Sequence, residues 1–564
     1  MSQIQYEDVS FTYDTAHDPA IQDLTLSIES AEFVGVSGPE GAGKTTFAQM
    51  LPGFIPHFYD GTLRGEIRIN EVTSTTADIA TLGTEVGYVF EHPTQQLSGA
   101  AMTVEGEIAF GLEQRAVTPS DMETAINDAL SAVNISHLQK RDPATLSGGQ
   151  LQRVAIASVL VLEPNIVVFD QPTGQLDPDG SEAVFDIAQR LAAGGLTVIF
   201  ITQDMHRLAP RASRLVVFDH GHCVMDDTPR RVLASEAVDE LVTIPPTAQL
   251  ARNLQSQESL SGETTLPLTT AEATQFCQEH DVISSSNGGE QSMNQETGTP
   301  RVSFDSVSYR YDNDIQALSD VSTRLYDGCV MLIGENGSGK TTFAKLLNGL
   351  LTPTEGRIKI GETLTESTSV AELAETVGLV FQDPDEQLFQ SSVGQEIRFG
   401  PENIGHTAVD AQVDTVINLL DLEEVRDMNS YELGRGTRKR VAMASVIAMD
   451  TSILVFDEPT GEQDRRGRDT IGSVIDTLSE DRLVICITHD MEFAQQHGDR
   501  IIALADGEII ADGTPTKVFN KPRVMDKAGV QRPVAAQIAE ELQIEHVTSV
   551  GEIERHLSAS PRTD

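Results

Sequence analysis

Two copies of one loop pattern constrain this chain more than anything else in it. The first copy runs Gly38, Pro39, Glu40, Gly41, Ala42, Gly43, Lys44, Thr45; the second runs Gly334, Glu335, Asn336, Gly337, Ser338, Gly339, Lys340, Thr341. Both fit G-x-x-x-x-G-K-[ST], and each is followed by another threonine, Thr46 and Thr342. The apolar runs before them, Phe33 to Val36 and Val330 to Ile333, predict buried strands. The stretches after them, Thr45 to Leu51 and Thr341 to Leu350, can open helices. In that setting the glycines let backbone wrap a β-phosphate. The helix N-terminus offers free N–H groups, and the lysine reaches the β- and γ-phosphates. The loops predict two strand–loop–helix units, each binding a nucleotide.

At 564 residues the chain is too long for one ordinary domain. Its 86 acidic and 39 basic residues give a formal net charge of -47, which repels nucleic acid and anionic lipid headgroups. The acids are spread over the whole length, lysine is scarce and tryptophan is absent. That pattern predicts adaptation to concentrated salt, where the Debye length is about 3 Å at 1 M and self-repulsion is screened. Cys223, Cys277, Cys329 and Cys486 are isolated, with no C-x-x-C pair, so no zinc or iron–sulfur module is expected. No signal peptide is visible at the start, and no window approaches the roughly 18 apolar residues of a membrane span. If the chain works at a membrane, another subunit does the spanning.

Segments recur in order along the chain. Val9 to Tyr13 answers Val307 to Tyr311, and Val89 to Leu97 answers Val380 to Leu388. Arg153 to Ser158 answers Arg440 to Ser445, and Ile166 to Asp170 answers Ile453 to Asp457. Even Pro246 to Leu254 resembles Pro533 to Leu542. The chain reads as a duplicated domain: 1–278 with a C-terminal extension, a flexible Ser/Gly/Asn/Gln-rich linker over 279–300, and 301–564 with its own extension. Short β-branched strands alternate with helical stretches. The expected class is α/β, each copy a mostly parallel sheet with helices on both faces. Residues 1–30 and 300–326 predict an antiparallel β-layer; 100–145 and 391–432 predict a helical insertion.

A third motif joins the loops and the strands. Leu146, Ser147, Gly148, Gly149 and Gln150 lie between the first P-loop and Asp170. In that order the motifs resemble the ABC ATPase family over nearly the whole chain, twice. The resemblance implies that ATP and Mg²⁺ bind between two domains, with the Ser147 motif facing the γ-phosphate on the opposite P-loop. In the second copy it assigns Lys340 to phosphate, and Thr341, Gln382 and Asp457 to Mg²⁺. Glu458 would polarise the attacking water, His489 would touch the γ-phosphate, and Tyr311 would stack on adenine. In the first copy Lys44, Thr45, Asp170 and Tyr13 match. However, Glu91 stands in place of the Q-loop glutamine, Gln171 in place of the catalytic carboxylate, and Gln203 in place of the switch histidine. A neutral amide cannot accept a proton from water. The second copy departs in its signature instead, where Gly434, Arg435 and Gly436 align with Ser147, Gly148 and Gly149. Under the family's crossed pairing, all these departures fall in one composite site and leave the other intact.

A longer stretch is more specific. Phe381 to Phe389 followed by Val393 to Asn403, echoed by Gln95 to Leu97 and Val104 to Gly111, resembles the ATPase subunits of energy-coupling factor transporters. These import vitamins or transition-metal ions. The resemblance implies a peripheral protein on the cytoplasmic face of the membrane, with an integral-membrane scaffold subunit and a substrate-binding membrane subunit as partners. The helix after the Q-loop would line a groove for a scaffold helix. The rivals are a soluble twin ATPase acting on ribosomes or nucleic acid, and a regulator that binds ATP without turnover. Iron–sulfur cysteines, a charged linker helix and basic arms, which the first rival usually carries, are not present in the sequence. Intact Glu458 and His489 weigh against the second.

Overall fold

The computed structural model describes residues 2–115, 117–174, 176–256, 265–279, 298–312 and 314–558. The expected linker, 279–300, lies almost wholly outside them. The chain divides into two compact units, Met1–Pro245 and Pro246–Asp564.

The first unit holds strands β1 (Ser2–Tyr13), β2 (Ile21–Glu29), β3 (Phe33–Ser37), β4 (Gly61–Ile69), β5 (Val72–Thr73), β6 (Val86–Val89), β7 (Ile166–Asp170), β8 (Thr197–Ile201), β9 (Arg214–Asp219) and β10 (His222–Asp227). The second holds β11 (Val302–Arg310), β12 (Gln316–Leu325), β13 (Gly328–Ile333), β14 (Glu355–Ile360), β15 (Thr363–Leu364), β16 (Val377–Val380), β17 (Ile453–Asp457), β18 (Leu483–Ile487), β19 (Arg500–Ala505) and β20 (Glu508–Gly513). Each unit has a four-stranded antiparallel sheet, ordered β2-β1-β4-β5 or β12-β11-β14-β15. Each also has a six-stranded sheet, ordered β10-β9-β3-β8-β7-β6 or β20-β19-β13-β18-β17-β16. Five strands of each larger sheet run parallel, and only β10 or β20 pairs antiparallel at the edge. The α/β class, the antiparallel layers and the mostly parallel sheets follow the sequence reading.

Strands β3, β7, β8, β17 and β18 are buried at every position. Their unbroken apolar runs suit central parallel strands covered on both faces, where alternation would leave polar groups inside. The site residues emerge from the C-terminal ends of these strands. The helical insertions form Val104–Gln114 and Pro119–Ala132 in the first unit, and Val393–Asn403 and Val409–Leu419 in the second. The helices after the P-loops are shorter than expected, Lys44–Gln49 and Lys340–Leu347.

The C-terminal extensions are helical in both repeats. Helices Pro246–Ser256 and Thr270–Glu279 pack with Val534–Glu541 and Val550–Ser558, so the first repeat's extension is grouped with the second unit. Asn253 donates a hydrogen bond to Glu554 Oε1 at 2.6 Å. The capping chemistry is duplicated too. Glu272 N–H donates to Thr269 Oγ1 at 3.2 Å, and Glu552 N–H donates to Ser549 Oγ at 3.2 Å. The extension expected to stay with residues 1–278 is thus divided from that repeat at Pro245.

Candidate nucleotide sites

Each P-loop leaves the end of a buried strand and turns on glycine. Gly43 and Gly339 open their helices at φ 96° and 105°. A Cβ there would fall 2.3 Å from Ala20 O and 2.4 Å from Ala317 O, so neither position admits a side chain. Lys44 Nζ donates to Gly38 O at 2.7 Å and Pro39 O at 2.5 Å; Lys340 Nζ donates to Gly334 O at 2.6 Å and Glu335 O at 2.8 Å. Both lysines are buried, which places an ammonium inside each loop where it can meet an anion. Tyr13 and Tyr311 lie beside their loops, each hydroxyl 3.0 Å from Oγ1 of Thr46 or Thr342.

Beside each lysine, a hydroxyl and a carboxylate converge. Thr45 Oγ1 donates to Asp170 Oδ1 at 3.3 Å, and Thr341 Oγ1 donates to Asp457 Oδ2 at 3.2 Å. Burial pushes both carboxyls above their ordinary pKa, so a bound cation is what would favour their ionised forms. A hydroxyl and a carboxylate, both hard oxygen donors, fit Mg²⁺, which would neutralise phosphate charge there. The first unit adds a feature of its own. Tyr88 OH donates to Asp170 Oδ2 at 2.6 Å, whereas Leu379 holds the matching position of β16.

The residues after these aspartates differ in chemistry but share a backbone. Gln171 and Glu458 have φ 48° and 50°, and their N–H groups donate to Ile201 O at 3.1 Å and Ile487 O at 2.9 Å. Glu458 Oε2 accepts from His489 N–H at 3.3 Å, and Glu458 Oε1 lies 3.3 Å from His489 Nε2. That ring nitrogen is also 3.1 Å from Asn336 Oδ1, on the P-loop. Burial, then the neighbouring Asp457, holds the Glu458 carboxyl well above the usual carboxylate range. In the first unit, Gln203 reaches its own P-loop, donating to Gly38 O at 2.7 Å. Gln382 is exposed and Glu91 half-buried.

The two signature helices begin differently. Ser147 caps helix Gly148–Leu160 in a capping box: Gln150 N–H donates to Ser147 Oγ at 3.4 Å, and Ser147 N–H donates to Gln150 Oε1 at 3.2 Å. Ser147 and Gly148 are exposed. Gly434 opens helix Arg435–Ile447 with no side-chain cap. Arg435 sits inside its own unit, 2.6 Å from Glu462 and 3.3 Å from Asp383, and Arg438 is 2.6 Å from Asp385. The copy-1 counterparts of Arg435 and Asp383 are Gly148 and His92.

After each Q-loop, one glutamine ties the chain to the signature helix. Gln96 Oε1 accepts from Phe90 N–H at 3.3 Å while Nε2 donates to Ala155 O at 2.6 Å and Ser158 Oγ at 3.1 Å. Gln387 repeats this with Phe381 at 3.3 Å, and Ala442 and Ser445 at 3.1 Å each. Glu107 and Glu396, both buried, accept from loop N–H groups of Ser98 at 2.8 Å and of Phe389 at 2.8 Å. A cavity of about 260 Å³ opens here in the first unit, lined by Phe54, Tyr88, Leu97, Phe110 and Leu162 among others. In the second, exposed Phe389 and Phe399 meet edge to face at 4.8 Å. Sequence reasoning gave no role to Gln96, Glu107, Glu396 or Tyr88. For the first three the signal was their recurrence at matching positions of both copies.

The ABC transporter family model matches residues 21–174 and 318–461, one segment in each unit. A candidate ABC transporter ATP-binding protein of Caldanaerobacter subterraneus, TTE1589, is 33% identical over 552 residues, covering 96% of both chains. Another from Methanosarcina acetivorans is 30% identical over 558 residues, covering 96% of this chain and 90% of that one. Among solved structures, cbiO1 from Clostridium perfringens, part of the ABC transporter complex cbiONQ, is 29% identical. It covers 43% of this chain and 100% of its own, with a TM-score of 0.38. The two family matches, each spanning a P-loop and the strand that ends in Asp170 or Asp457, show that this chain belongs to the ABC transporter ATP-binding family and carries two of its domains in one polypeptide.

Proposed function

We propose that this chain is the ATP-hydrolysing subunit of an energy-coupling-factor type importer of a vitamin or transition-metal ion. Hydrolysis runs at the site built on the second P-loop, and the site built on the first mainly binds ATP. The observation that carries the reading is the Glu458–His489 pair, with contacts of 3.3 Å, set against Gln171 and Gln203 at the matching positions. Lys340 and the P-loop N–H groups hold the β- and γ-phosphates. Glu458 takes a proton from the attacking water, and His489 links that carboxylate to the P-loop through Asn336. Thr341, Asp457 and Gln382 would hold Mg²⁺, which when bound would supply charge neutralisation on the phosphates. Ser147, Gly148, Gly149 and Gln150 present an exposed, capped helix end of the kind that meets a γ-phosphate, whereas Gly434, Arg435 and Gly436 open theirs without a side-chain cap. Glu91, Gln171 and Gln203 are the departures of the first copy.

The transport half rests on the Q-loop region. The Gln96 and Gln387 ties, the apolar cavity and the exposed Phe389 and Phe399 suit a groove for a helix of a membrane scaffold subunit. No helix among the described residues is long and apolar enough to cross a membrane, so the chain would act peripherally through such partners. The test has two arms. Steady-state ATP turnover of Glu458→Gln should fall roughly 10²–10⁴-fold with ATP binding kept; a variant retaining most of the rate refutes the hydrolytic assignment. Purification from native membranes should bring down a subunit with several membrane spans. Recovery with ribosomes or nucleic acid instead refutes the transport assignment.

A further inference from the structure

The most unusual buried group outside the expected machinery is Lys439, on the signature helix of the second unit. It is 3% exposed. Its ammonium donates to three backbone carbonyls: Phe381 O at 2.7 Å, Gln382 O at 2.8 Å and Asp457 O at 2.6 Å. Those are all the protons an ammonium has. Two acceptors lie on the Q-loop and the third ends β17, so one side chain ties three elements together. The matching residue of the first unit is Gln152, also buried, whose amide donates to Phe90 O at 3.3 Å.

The third acceptor matters most. The peptide between Asp457 and Glu458 is held at both ends, its carbonyl by Lys439 and its N–H by Ile487 O at 2.9 Å. Glu458 sits at φ 50°, a backbone that a residue with a side chain adopts only under constraint. Where that peptide plane points decides where the Glu458 carboxylate points. In the first unit, Ile201 O holds the N–H of Gln171 at 3.1 Å, and the residue matching Lys439 is the neutral Gln152. Burial lowers the Lys439 pKa to about 8, with Asp457, Glu458, Glu462 and Asp383 opposing that shift.

We propose that Lys439 is a positioning residue for ATP hydrolysis: by gripping the carbonyls of Phe381, Gln382 and Asp457 it fixes the Q-loop and Glu458 relative to each other. This rests on the reading that the second P-loop carries turnover. All three Lys439 donors are taken by backbone carbonyls. The residue acts on the step that needs Glu458 aimed, and ATP binding through Lys340 does not depend on it.

The experiment uses the full chain with Lys439→Met, which keeps the volume and removes the donors, and Lys439→Gln, which installs the residue of the first unit. kcat and KM for ATP are measured beside the equilibrium affinity for a fluorescent ATP analogue, with Glu458→Gln as reference. The expected result is a kcat at least about tenfold lower, because a misplacement near 1 Å can cost about 10²-fold, with KM and affinity within about threefold of wild type. An unchanged kcat overturns the proposal. So does a parallel loss of kcat and affinity, or failure of both variants to fold, since each marks a merely structural bridge. If Glu458→Gln itself keeps the wild-type rate, the hydrolytic reading fails on its own, whatever the Lys439 variants do.

Discussion

Glu458 and Gln171 stand on matching left-handed backbones at the ends of matching buried strands, so one atom group separates a proton acceptor from an amide. The raised pKa of Glu458 has a thermodynamic side. Below the ordinary carboxylate pKa the group is protonated folded and unfolded alike. As pH climbs above it, the unfolded chain ionises first, and stability is lost until the raised folded value is passed. Nucleotide-free Glu458→Gln should therefore melt above wild type at neutral and alkaline pH, with the curves converging near pH 4. Equal melting temperatures across that range would contradict the burial argument. Arg435 carries a second prediction. The sequence placed an arginine where a signature glycine belongs; the structure anchors it on Glu462 and Asp383, with Arg435 and Glu462 side chains each 11% exposed. Restoring glycine by Arg435→Gly strands Glu462 and should cost about 3 kcal/mol in denaturant unfolding. A neutral result would show that the pair contributes nothing.

At the scale of elements, the strands were the easiest to read. Their unbroken apolar runs, beside the P-loops and ahead of Asp170 and Asp457, made their type and mostly parallel arrangement legible, while the strand order came only with the fold. The helix starts were legible where a cap was spelled out, as at Ser147 with Gln150. Helix ends were less so: the first P-loop helix stops at Gln49, although Leu51 still fits its apolar pattern. The helix at Arg435 shows why the site was only partly legible. Motif alignment identified what the second signature had lost, but not what it had gained. The grips of Arg435, Arg438 and Lys439 join residues tens of positions apart, and only the folded arrangement of Q-loop, strand end and helix brings them within reach. The same holds for Tyr88 and Asp170, whose contact needs β6 to lie beside β7.

For the whole molecule, charge is the dominant quantity. A formal net charge of -47 puts carboxylates close together across the surface of both units. Many are paired with arginine, as Asp226 and Asp512 are with Arg214 and Arg500, but basic residues are too few to match them all. Diluting salt from about 1 M to about 0.1 M lengthens the Debye length from about 3 to about 10 Å and restores that repulsion. The melting temperature should fall by several degrees over this dilution at constant pH. A flat or rising profile would end the reading of the composition as salt adaptation. The helices of the C-terminal extensions bear on a different property of the molecule, its dependence on an unbroken chain. Pro246–Ser256 and Thr270–Glu279 precede the 280–297 segment in sequence, yet they pack on Val534–Glu541 and Val550–Ser558 beyond it. A protease cut within 280–297 would release no free half: the upstream fragment would stay clasped to the downstream one through this helix cluster. Two separately encoded polypeptides divided at that point would carry, in those helices, the means to find each other.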